Sequence, residues 1–147
     1  MSLVINIIIT IIAFLSMEFV AWFTHKYIMH GILWHLHKDH HQPKHSHVFE
    51  KNDSFFLIFA TPGITCIILG VSNFTWPFWI GLGISLYGLA YFIIHDLFIH
   101  QRIKIFRNTS SKYLQGLRKA HKIHHKNMKK EKCENFGMLL FPPKYWL

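Results

Sequence analysis

The chain has 147 residues, 51% of them hydrophobic, and a formal net charge of +9. This length fits a single domain over residues 1–147. All sixteen Lys and Arg lie at or after Lys26, apart from the first long apolar run, and such segregation is typical of a membrane protein rather than a soluble one. The basic residues border apolar runs and accompany no motif that reads nucleic acid. The charge therefore indicates an anionic lipid surface and no nucleic-acid partner.

Three apolar segments, taken in chain order, are predicted to span the membrane. Residues 3–24 come close to the roughly 20 apolar residues that cross a bilayer, and they lack the basic start of a cleaved signal peptide. Residues 55–71 and 77–94 are the second and third spans, and the short uncharged turn 72–75 makes them a hairpin. One face of the third span has small residues that let helices approach closely. These residues are Gly81, Ser85 and Gly88.

The order of the spans places every histidine cluster on one side of the membrane. The clusters occupy residues 25–41, 95–100 and 121–125, and all Lys and Arg share their side. The positive-inside rule makes that side cytoplasmic. We therefore expect an all-α, multi-pass protein of the cell (inner) membrane with about three transmembrane helices and a cytoplasmic histidine-rich helical cap. A helix around residues 113–130 and a tail, residues 136–147, complete the cap. The tail either lies along the interface or covers the site.

Ten of the thirteen histidines follow two repeated patterns. Two stretches spell His-x-x-His-His, whose first, fourth and fifth positions share one helix face, so we expect the three imidazoles of each stretch to converge on a metal. Two other pairs spell His-x4-His. The ten histidines are His25, His30, His37, His40, His41, His95, His100, His121, His124 and His125.

The His-x4-His spacing leaves two arrangements open. Residues five apart lie about 140° apart on a regular helix and cannot face one ion from it. Either a π-type turn brings the two rings together, or they serve different ions. Neutral imidazole suits Zn, Cu, Fe or Ni. Because ten ligands exceed the capacity of one ion, two ions are the expected number.

Three acidic residues are predicted to assist the histidines. Glu18, inside the first span, shares a helix face with His25 and is either exposed at the interface or hydrogen-bonded to that ring. Asp96 lies four residues before His100, where its carboxylate can hold an imidazole N–H. Asp39 is a further candidate, with surface solvation as the alternative.

Four more polar residues lie near the clusters but are not predicted as metal ligands of the repeated pattern. Asp53 is, like Asp39, either a partner of the rings or a surface residue. His35, His45 and His47 lie outside the repeats, and we expect a role other than metal binding for each. His35-x-His37 leaves His35 as an alternative ligand.

Short sequence motifs accompany the histidines. They include Met17-Glu18, His25-Lys26-Tyr27-Ile28-Met29-His30-Gly31, Trp34-His35, Phe49-Glu50-x-Asn52-Asp53, His95-Asp96, His100-Gln101-Arg102, Ala120-His121, Phe136-Gly137 and Pro142-Pro143. Together they resemble the bacterial β-carotene 3-hydroxylases, which belong to the fatty acid hydroxylase superfamily of membrane di-iron oxygenases. The resemblance covers nearly the whole chain. His-x-x-His-His alone indicates only the superfamily, whereas these accompanying motifs are more specific.

This resemblance implies a cofactor, a reaction and partners. The ten patterned histidines would hold two Fe ions, for which zinc can substitute in purified protein, and dioxygen would be the cosubstrate. A ferredoxin-type donor or its reductase would supply two electrons, since the chain has no reductase motif. The substrate would be a carotenoid within the bilayer, hydroxylated at carbon 3 of its β-ionone ring, from β-carotene through β-cryptoxanthin to zeaxanthin.

Two other functions compete with this interpretation. The first is a related oxygenase that acts on another lipid, such as a fatty acyl chain, a sterol or a ketolated carotenoid. The second is a histidine-rich membrane metal carrier, which requires polar residues along a path through the spans. The spans offer little beyond Glu18 and scattered hydroxyls, which disfavours the carrier.

Overall fold

A computed structural model describes residues 2–42, 49–103, 105 and 108–146. Over these residues the chain is helical and contains no strand. Two π-helical segments, π1 (Thr24–Ile32) and π2 (Phe92–Ile99), continue the first and third long helices. Short 3-10 turns cover Lys51–Asp53 and Pro143–Tyr145. The α-helices are α1 (Leu3–Phe23), α2 (Trp34–His41), α3 (Ser54–Gly70), α4 (Trp76–Tyr91) and α5 (Lys112–Lys126).

Three helices in the described part of the chain are long and apolar enough to cross a membrane. They cover Leu3–Ile32, Lys51–Gly70 and Trp76–Ile99. Their number confirms the prediction, but the first and third are longer than predicted because π1 and π2 continue them. Large apolar side chains such as Leu15 and Leu69 are exposed on their outer faces, as expected of helices that face lipid.

The spans are arranged so that one end of the bundle receives all the histidines. Helix α4 runs parallel to α1, since the Thr10 hydroxyl donates to the Trp79 carbonyl (3.2 Å) and the Tyr87 hydroxyl to Glu18 (2.8 Å). It runs antiparallel to α3, because Gly63 lies beside Ile84 and Gly70 lies beside Phe78. The end of α1, the start of α3 and the end of α4 therefore meet, as the sequence predicted.

Two glycines on different faces of α4 allow this close packing. A Cβ on Gly81 would lie 2.6 Å from the Gly63 carbonyl oxygen of α3, and one on Gly83 would lie 2.5 Å from the Thr10 carbonyl oxygen of α1. The predicted stripe is therefore correct at Gly81. It is wrong at Gly88, where a Cβ would meet nothing within 4 Å.

Helix α5 and the tail close the histidine end of the bundle. The Ser111 hydroxyl accepts the Leu114 N–H at 3.4 Å and caps the start of α5. The helix ends at Lys126, earlier than predicted, because Asn127 is extended (φ −90°, ψ 104°). The Tyr113 hydroxyl donates to the Leu139 carbonyl at 2.6 Å and holds the tail against α5. The tail covers the site, which is one of its two predicted positions.

Candidate metal centre

Nine of the ten patterned histidines form two compact groups. Within each group, one candidate ligand nitrogen per ring lies within 4.8 Å of all the others. The first imidazole group consists of His25, His30, His37, His41 and His124. The second imidazole group consists of His40, His95, His100 and His121. The tenth ring, His125, lies between them, with its centroid 4.4 Å from that of His41 and 4.6 Å from that of His121.

Each His-x-x-His-His motif is divided between the two groups. On α2, His37 and His41 belong to the first group and His40 to the second. On α5, His124 belongs to the first group and His121 to the second. The prediction that one motif converges on one ion is therefore wrong. The fourth and fifth positions of the motif point about 100° apart, so each helix supplies ligand candidates to both groups.

The π-helical segments resolve the His-x4-His spacing. In π2 the His100 N–H donates to the His95 carbonyl at 2.9 Å, which places residues five apart on one face. The ring centroids of His95 and His100 are 4.5 Å apart, and those of His25 and His30 in π1 are 5.2 Å apart. Each pair lies within a single group, so of the two arrangements left open the structure has the π-type turn.

The rings of the first group are oriented through Nδ1 by groups that only accept hydrogen bonds. Four acceptors are backbone carbonyls and the fifth is an amide oxygen. They are Phe136 for His25 (3.0 Å), Lys130 for His30 (3.1 Å), Asn127 for His41 (3.1 Å), Glu134 for His124 (2.8 Å) and Asn52 Oδ1 for His37 (2.6 Å). Because these oxygens cannot donate, each Nδ1 has the proton and each Nε2 has a bare lone pair.

These bare Nε2 atoms face one another in the first group. The separations are 3.1 Å for His25 and His37, 3.2 Å for His30 and His124, and 3.1 Å for His41 and His124. Two lone pairs cannot hydrogen-bond to each other, so the arrangement is compatible with a cation between them. Two nitrogens about 2.1 Å from one metal at 90–110° to each other are roughly 3.0–3.4 Å apart. The first group therefore fits a transition-metal ion.

Two rings of the second group donate to carboxylates. The His40 Nδ1–H donates to Glu50 Oε2 at 2.7 Å, and the His95 Nδ1–H donates to Asp96 Oδ1 at 2.7 Å. A carboxylate bonded to a ring N–H orients the ring and makes its other nitrogen a stronger ligand. These two anions also help balance the charge of a bound metal.

The inward nitrogens of the second group resemble those of the first. The Nε2 atoms of His100 and His121 are 2.9 Å apart. The Nε2 atoms of His40 and His125 are buried and have no hydrogen-bond partner within the described residues. Buried polar atoms normally have a partner, so these two nitrogens are also suited to act as metal ligands.

An arginine connects the acidic residues beside the second group. Arg102 Nη2 lies 2.7 Å from Asp53 Oδ1 and 3.2 Å from Glu50 Oε2. Burial raises the pKa of Glu50, although the Arg102 charge opposes the shift. Asp53 also accepts the Glu50 N–H at 3.0 Å. Asp53 therefore bonds the arginine and the backbone, and the partner of the histidine is Glu50.

Burial keeps the imidazoles neutral, which is the form that binds metal. It lowers the pKa of His41 and His100 to about 4, of His124 to about 3 and of His37 to about 2. The neighbouring rings add to the lowering at His41 and His124, and Arg102 adds to it at His100. Burial also lowers the pKa of His40, His121 and His125.

Glu18 has neither of its predicted environments. Its side chain is only 8% exposed, so it is not an interfacial acid. Its carboxylate accepts the Tyr87 hydroxyl and the backbone N–H groups of Met138, Leu139 and Leu140, rather than the His25 ring. The tail folds back over α1 and supplies partners that lie about 120 positions away, which helix-face reasoning does not detect.

The other predicted partners of the rings are also displaced. Asp96 bonds its neighbour His95 instead of His100. Asp39 accepts the Lys51 N–H at 2.5 Å and so holds the turn after α2 instead of a ring. His35 is exposed and belongs to neither group. His45 and His47 lie outside the described residues.

Sequence reasoning did not assign the acceptors that orient most of the rings. Glu50 and Asn52 were noted only as part of the motif Phe49-Glu50-x-Asn52-Asp53, which resembles the family, and no role was predicted for them. The four carbonyl acceptors lie between residues 127 and 136. Every residue has a carbonyl, so no residue type at these positions signals the role.

An apolar cavity of about 450 Å³ leads from the spans to both groups. Between α1, α3 and α4 it is lined by side chains such as Met17, Phe59 and Ile84. At its inner end it reaches rings of both groups, His25 and His37 of the first and His95 and His121 of the second. An apolar molecule in the bilayer can therefore approach both groups of nitrogens.

Three features define the class of protein. They are helices able to span a membrane, two groups of buried neutral imidazoles able to hold metal, and an apolar cavity beside these groups. Such features are those of a membrane metalloenzyme that acts on apolar compounds. The chain belongs to the fatty acid hydroxylase family, whose sequence profile matches residues 10–143. This membership confirms the superfamily predicted from the histidine motifs and identifies the chain as an oxygenase.

The chain is also similar to three bacterial proteins named beta-carotene hydroxylase. The chain is 41% identical over 138 residues to the beta-carotene hydroxylase of Pseudescherichia vulneris, covering 93% of this chain and 77% of that protein. It is 42% identical over 139 residues to the beta-carotene hydroxylase of Pantoea ananas, covering 94% and 78%. The beta-carotene hydroxylase of Paracoccus sp. (strain PC1) is 39% identical over 139 residues, covering 92% and 84%. No solved structure matches the chain.

Proposed function

We propose that the chain is a di-iron monooxygenase that hydroxylates carbon 3 of the β-ionone ring of carotenoids, converting β-carotene through β-cryptoxanthin to zeaxanthin. The observation on which the proposal depends is the apolar cavity that reaches four imidazoles in two groups. Its inner end brings a lipid-soluble ring against the nitrogens, and the bacterial relatives are named beta-carotene hydroxylases.

The two imidazole groups are the proposed ligand sets. The first group would hold one iron. The second group, together with His125, would hold the other, since the His125 ring lies within 4.8 Å of the rings of His40, His100 and His121. Iron bound there would supply dioxygen activation: with two electrons and two protons from outside, one oxygen atom would be inserted into the C–H bond and the other would leave as water.

The chain's own residues position the substrate and exclude water. Phe55, Phe59 and Ile84 line the cavity with apolar surface that suits a hydrocarbon ring. Phe55 is only 4% exposed, and its ring lies 6.3 Å from that of His37, so an apolar wall continues up to the ligand candidates. The carboxylates of Glu50 and Asp96 fix the rings of His40 and His95 through their Nδ1 protons.

The electron donor is proposed to dock on the exposed face of α5. Lys119, Lys122 and Lys126 are exposed there, while His121 and His124 are buried on the same helix. An acidic ferredoxin-type protein or its reductase would be steered to this basic face, with one helix between it and the ligand candidates. The same excess of basic residues supports a cytoplasmic orientation in the cell membrane.

Product analysis in cells that accumulate β-carotene tests the proposal. With iron and a donor present, the wild-type chain should yield β-cryptoxanthin and zeaxanthin, and His124→Ala should yield neither. Thr10→Val is the matched control, since Thr10 bonds α4 far from the rings and its variant should retain the products. A wild type that leaves β-carotene unchanged, or that hydroxylates a fatty acyl chain or a sterol instead, would contradict the proposed substrate.

A further inference from the structure

The segment of the tail from residue 134 to 140, here called the tail strap, connects the first imidazole group to a carboxylate inside a membrane span. Two of its carbonyls orient rings of that group. The Glu134 carbonyl accepts from His124 Nδ1 at 2.8 Å, and the Phe136 carbonyl accepts from His25 Nδ1 at 3.0 Å. The position of the strap therefore sets the direction in which these two rings present Nε2.

The other end of the tail strap is bonded to Glu18. Glu18 Oε1 accepts the backbone N–H groups of Met138 at 2.9 Å, Leu139 at 2.9 Å and Leu140 at 2.8 Å. Glu18 Oε2 accepts the Leu139 N–H at 3.0 Å and the Tyr87 hydroxyl at 2.8 Å. Three consecutive N–H groups around one anion form a backbone nest, and such charge-assisted hydrogen bonds are the strong ones.

Gly137 makes the turn between the two ends possible. A Cβ at this position would overlap the Leu140 carbonyl oxygen and would lie 3.1 Å from Glu18 Oε1. A side chain there would therefore push the strap away from the carboxylate. The next residue, Met138, is 5% exposed and packs with Met17 and Tyr87 in the core, so the strap is fixed by burial as well as by hydrogen bonds.

Phe136 adds a second connection between the tail strap and the first group. Its ring lies edge-on to the rings of His25, His30 and His124, with centroids 5.2–5.4 Å away. The residue also lines the cavity. A shift of the strap would thus move both a hydrogen-bond acceptor and an apolar wall of the first group, while no described bond joins the strap to Glu50 or Asp96.

We infer that Glu18 is a positioning residue of the first imidazole group, and that it acts through the tail strap rather than by touching a ring. This inference rests on the proposed function, because it assumes that the group holds iron. Loss of the acceptor at Glu18 should selectively weaken the ion of the first group and leave the ion of the second group in place.

The test is anaerobic ferrous titration, against a competing chelator, of the purified full chain and its variants. The wild type should bind two ions. Glu18→Leu, which keeps bulk but leaves three N–H groups without an acceptor, should weaken one of them by about tenfold or more, as losses of outer partners typically do. Glu18→Gln retains one oxygen for those N–H groups and should restore most of the affinity. Thr10→Val, on the same helix, should match the wild type.

Two further variants identify which ion is affected. His30→Ala removes a first-group ring, and adding Glu18→Leu to it should cause little further loss, because both changes act on one ion. Adding Glu18→Leu to His95→Ala, a second-group change, should cause the full additional loss. If Glu18→Leu does not assemble, Gly137→Ala displaces the strap from outside the spans and should show the same selectivity.

The inference is wrong if Glu18→Leu and Gly137→Ala bind both ions like the wild type. It is also wrong if they weaken both ions equally together with a lower melting temperature, which would indicate a general packing role. Equal damage from Glu18→Gln and Glu18→Leu would also contradict the inference, because it would assign the effect to the charge of Glu18 rather than to its role as a hydrogen-bond acceptor. These outcomes would leave the proposed function intact if the wild type binds two ions and hydroxylates β-carotene. A wild type that forms no hydroxylated product would contradict the proposed function itself.

Discussion

The two imidazole groups are built from the same residue type and share helices α2 and α5, but their rings are held in different ways. The rings of the first group donate mainly to backbone carbonyls, whereas two rings of the second group donate to the carboxylates of Glu50 and Asp96. Only the second group therefore has anions directly behind its rings, and Arg102 is paired with one of them. We expect two ions that differ in affinity and in their sensitivity to mutation.

The difference also shows how the fold assigns roles to neighbouring positions in sequence. His40 and His41 are adjacent on α2, yet His40 is backed by a carboxylate and His41 by the Asn127 carbonyl. Carboxylates make an imidazole a stronger ligand, and a neutral carbonyl mainly orients it. Two different environments for candidate ligands thus arise from one His-x-x-His-His motif.

The largest expected effects come from removing one ring of each group. His124 is fully buried and its Nε2 faces both His30 and His41. His124→Ala should therefore lose the first ion, and His40→Ala the second. Each variant should lower the yield of hydroxylated product by more than about 100-fold. Removing the hydrogen-bond partner of a ligand typically lowers metal affinity or activity by roughly 10–100-fold, and removing the ligand itself should have a larger effect. Product yield and iron content per chain measure this.

The difference between the two groups would be contradicted if either variant lost both ions completely. In that case the ten histidines would form one interdependent cluster rather than two separable groups.

Next in size is the replacement of one acceptor behind each group. Glu50→Gln removes the anion that His40 donates to, and Asn52→Ala removes the neutral acceptor of His37. Glu50→Gln should weaken the second ion by roughly 10–100-fold, and Asn52→Ala should weaken the first by less. Ferrous affinities of the two variants, measured side by side, check this order.

Equal losses in these two variants would mean that the charge of the acceptor is unimportant. A larger loss in Asn52→Ala would reverse the comparison, and the first group would then be the one that depends on its side-chain partner.

The two groups should respond alike to pH in the metal-free protein. His41 and His100 both have a pKa of about 4 in the folded chain, below the ordinary value of 6.5. The unfolded chain takes up protons as pH falls through 6.5 while the folded chain does not, so the stability of the fold decreases between about pH 6.5 and pH 4. Thermal melting of the chelated protein in detergent should show a falling midpoint over this range.

His41→Asn and His100→Asn should each flatten that pH profile by a similar amount. A midpoint that is constant from pH 6.5 to 4 in the wild type would contradict the buried neutral state of the rings.

The smallest effect is expected at Glu134. Its backbone carbonyl orients His124, but its side chain is exposed and pairs with Lys144 at 2.7 Å. Exposed ion pairs contribute little, so Glu134→Gln should leave iron content and product unchanged. A clear loss of the first ion in this variant would show that the carboxylate, and not only the carbonyl, acts on that group.

Much of the fold could be predicted from the sequence because its signals are local. The apolar runs gave the three spans, and their order placed all histidines at one end of the bundle. The helix ends were less accurate, since π1 and π2 extend helices that hydropathy stopped at the first histidine. The His-x4-His spacing required either a π-type turn or two ions, and only the backbone distinguishes them.

Less of the site could be predicted, because its arrangement depends on contacts that are distant in sequence. The ten histidines were identified from their spacing, but their division into two groups depends on how π1, π2, α2 and α5 come together. Three of the partners of Glu18 are backbone N–H groups about 120 residues away. Carbonyl acceptors such as that of Phe136 cannot be recognised from the type of residue. Helix-face reasoning therefore predicted that nearby acidic side chains were the partners of the rings.

The most direct test of the central claim is the iron stoichiometry of the active wild-type chain. Purified chain is loaded anaerobically with ferrous iron in steps, and hydroxylated β-carotene is quantified at each step. Two separable imidazole groups predict that product rises only as the second equivalent of iron is bound and reaches its maximum at two per chain. Full product at one iron per chain would contradict a two-metal site.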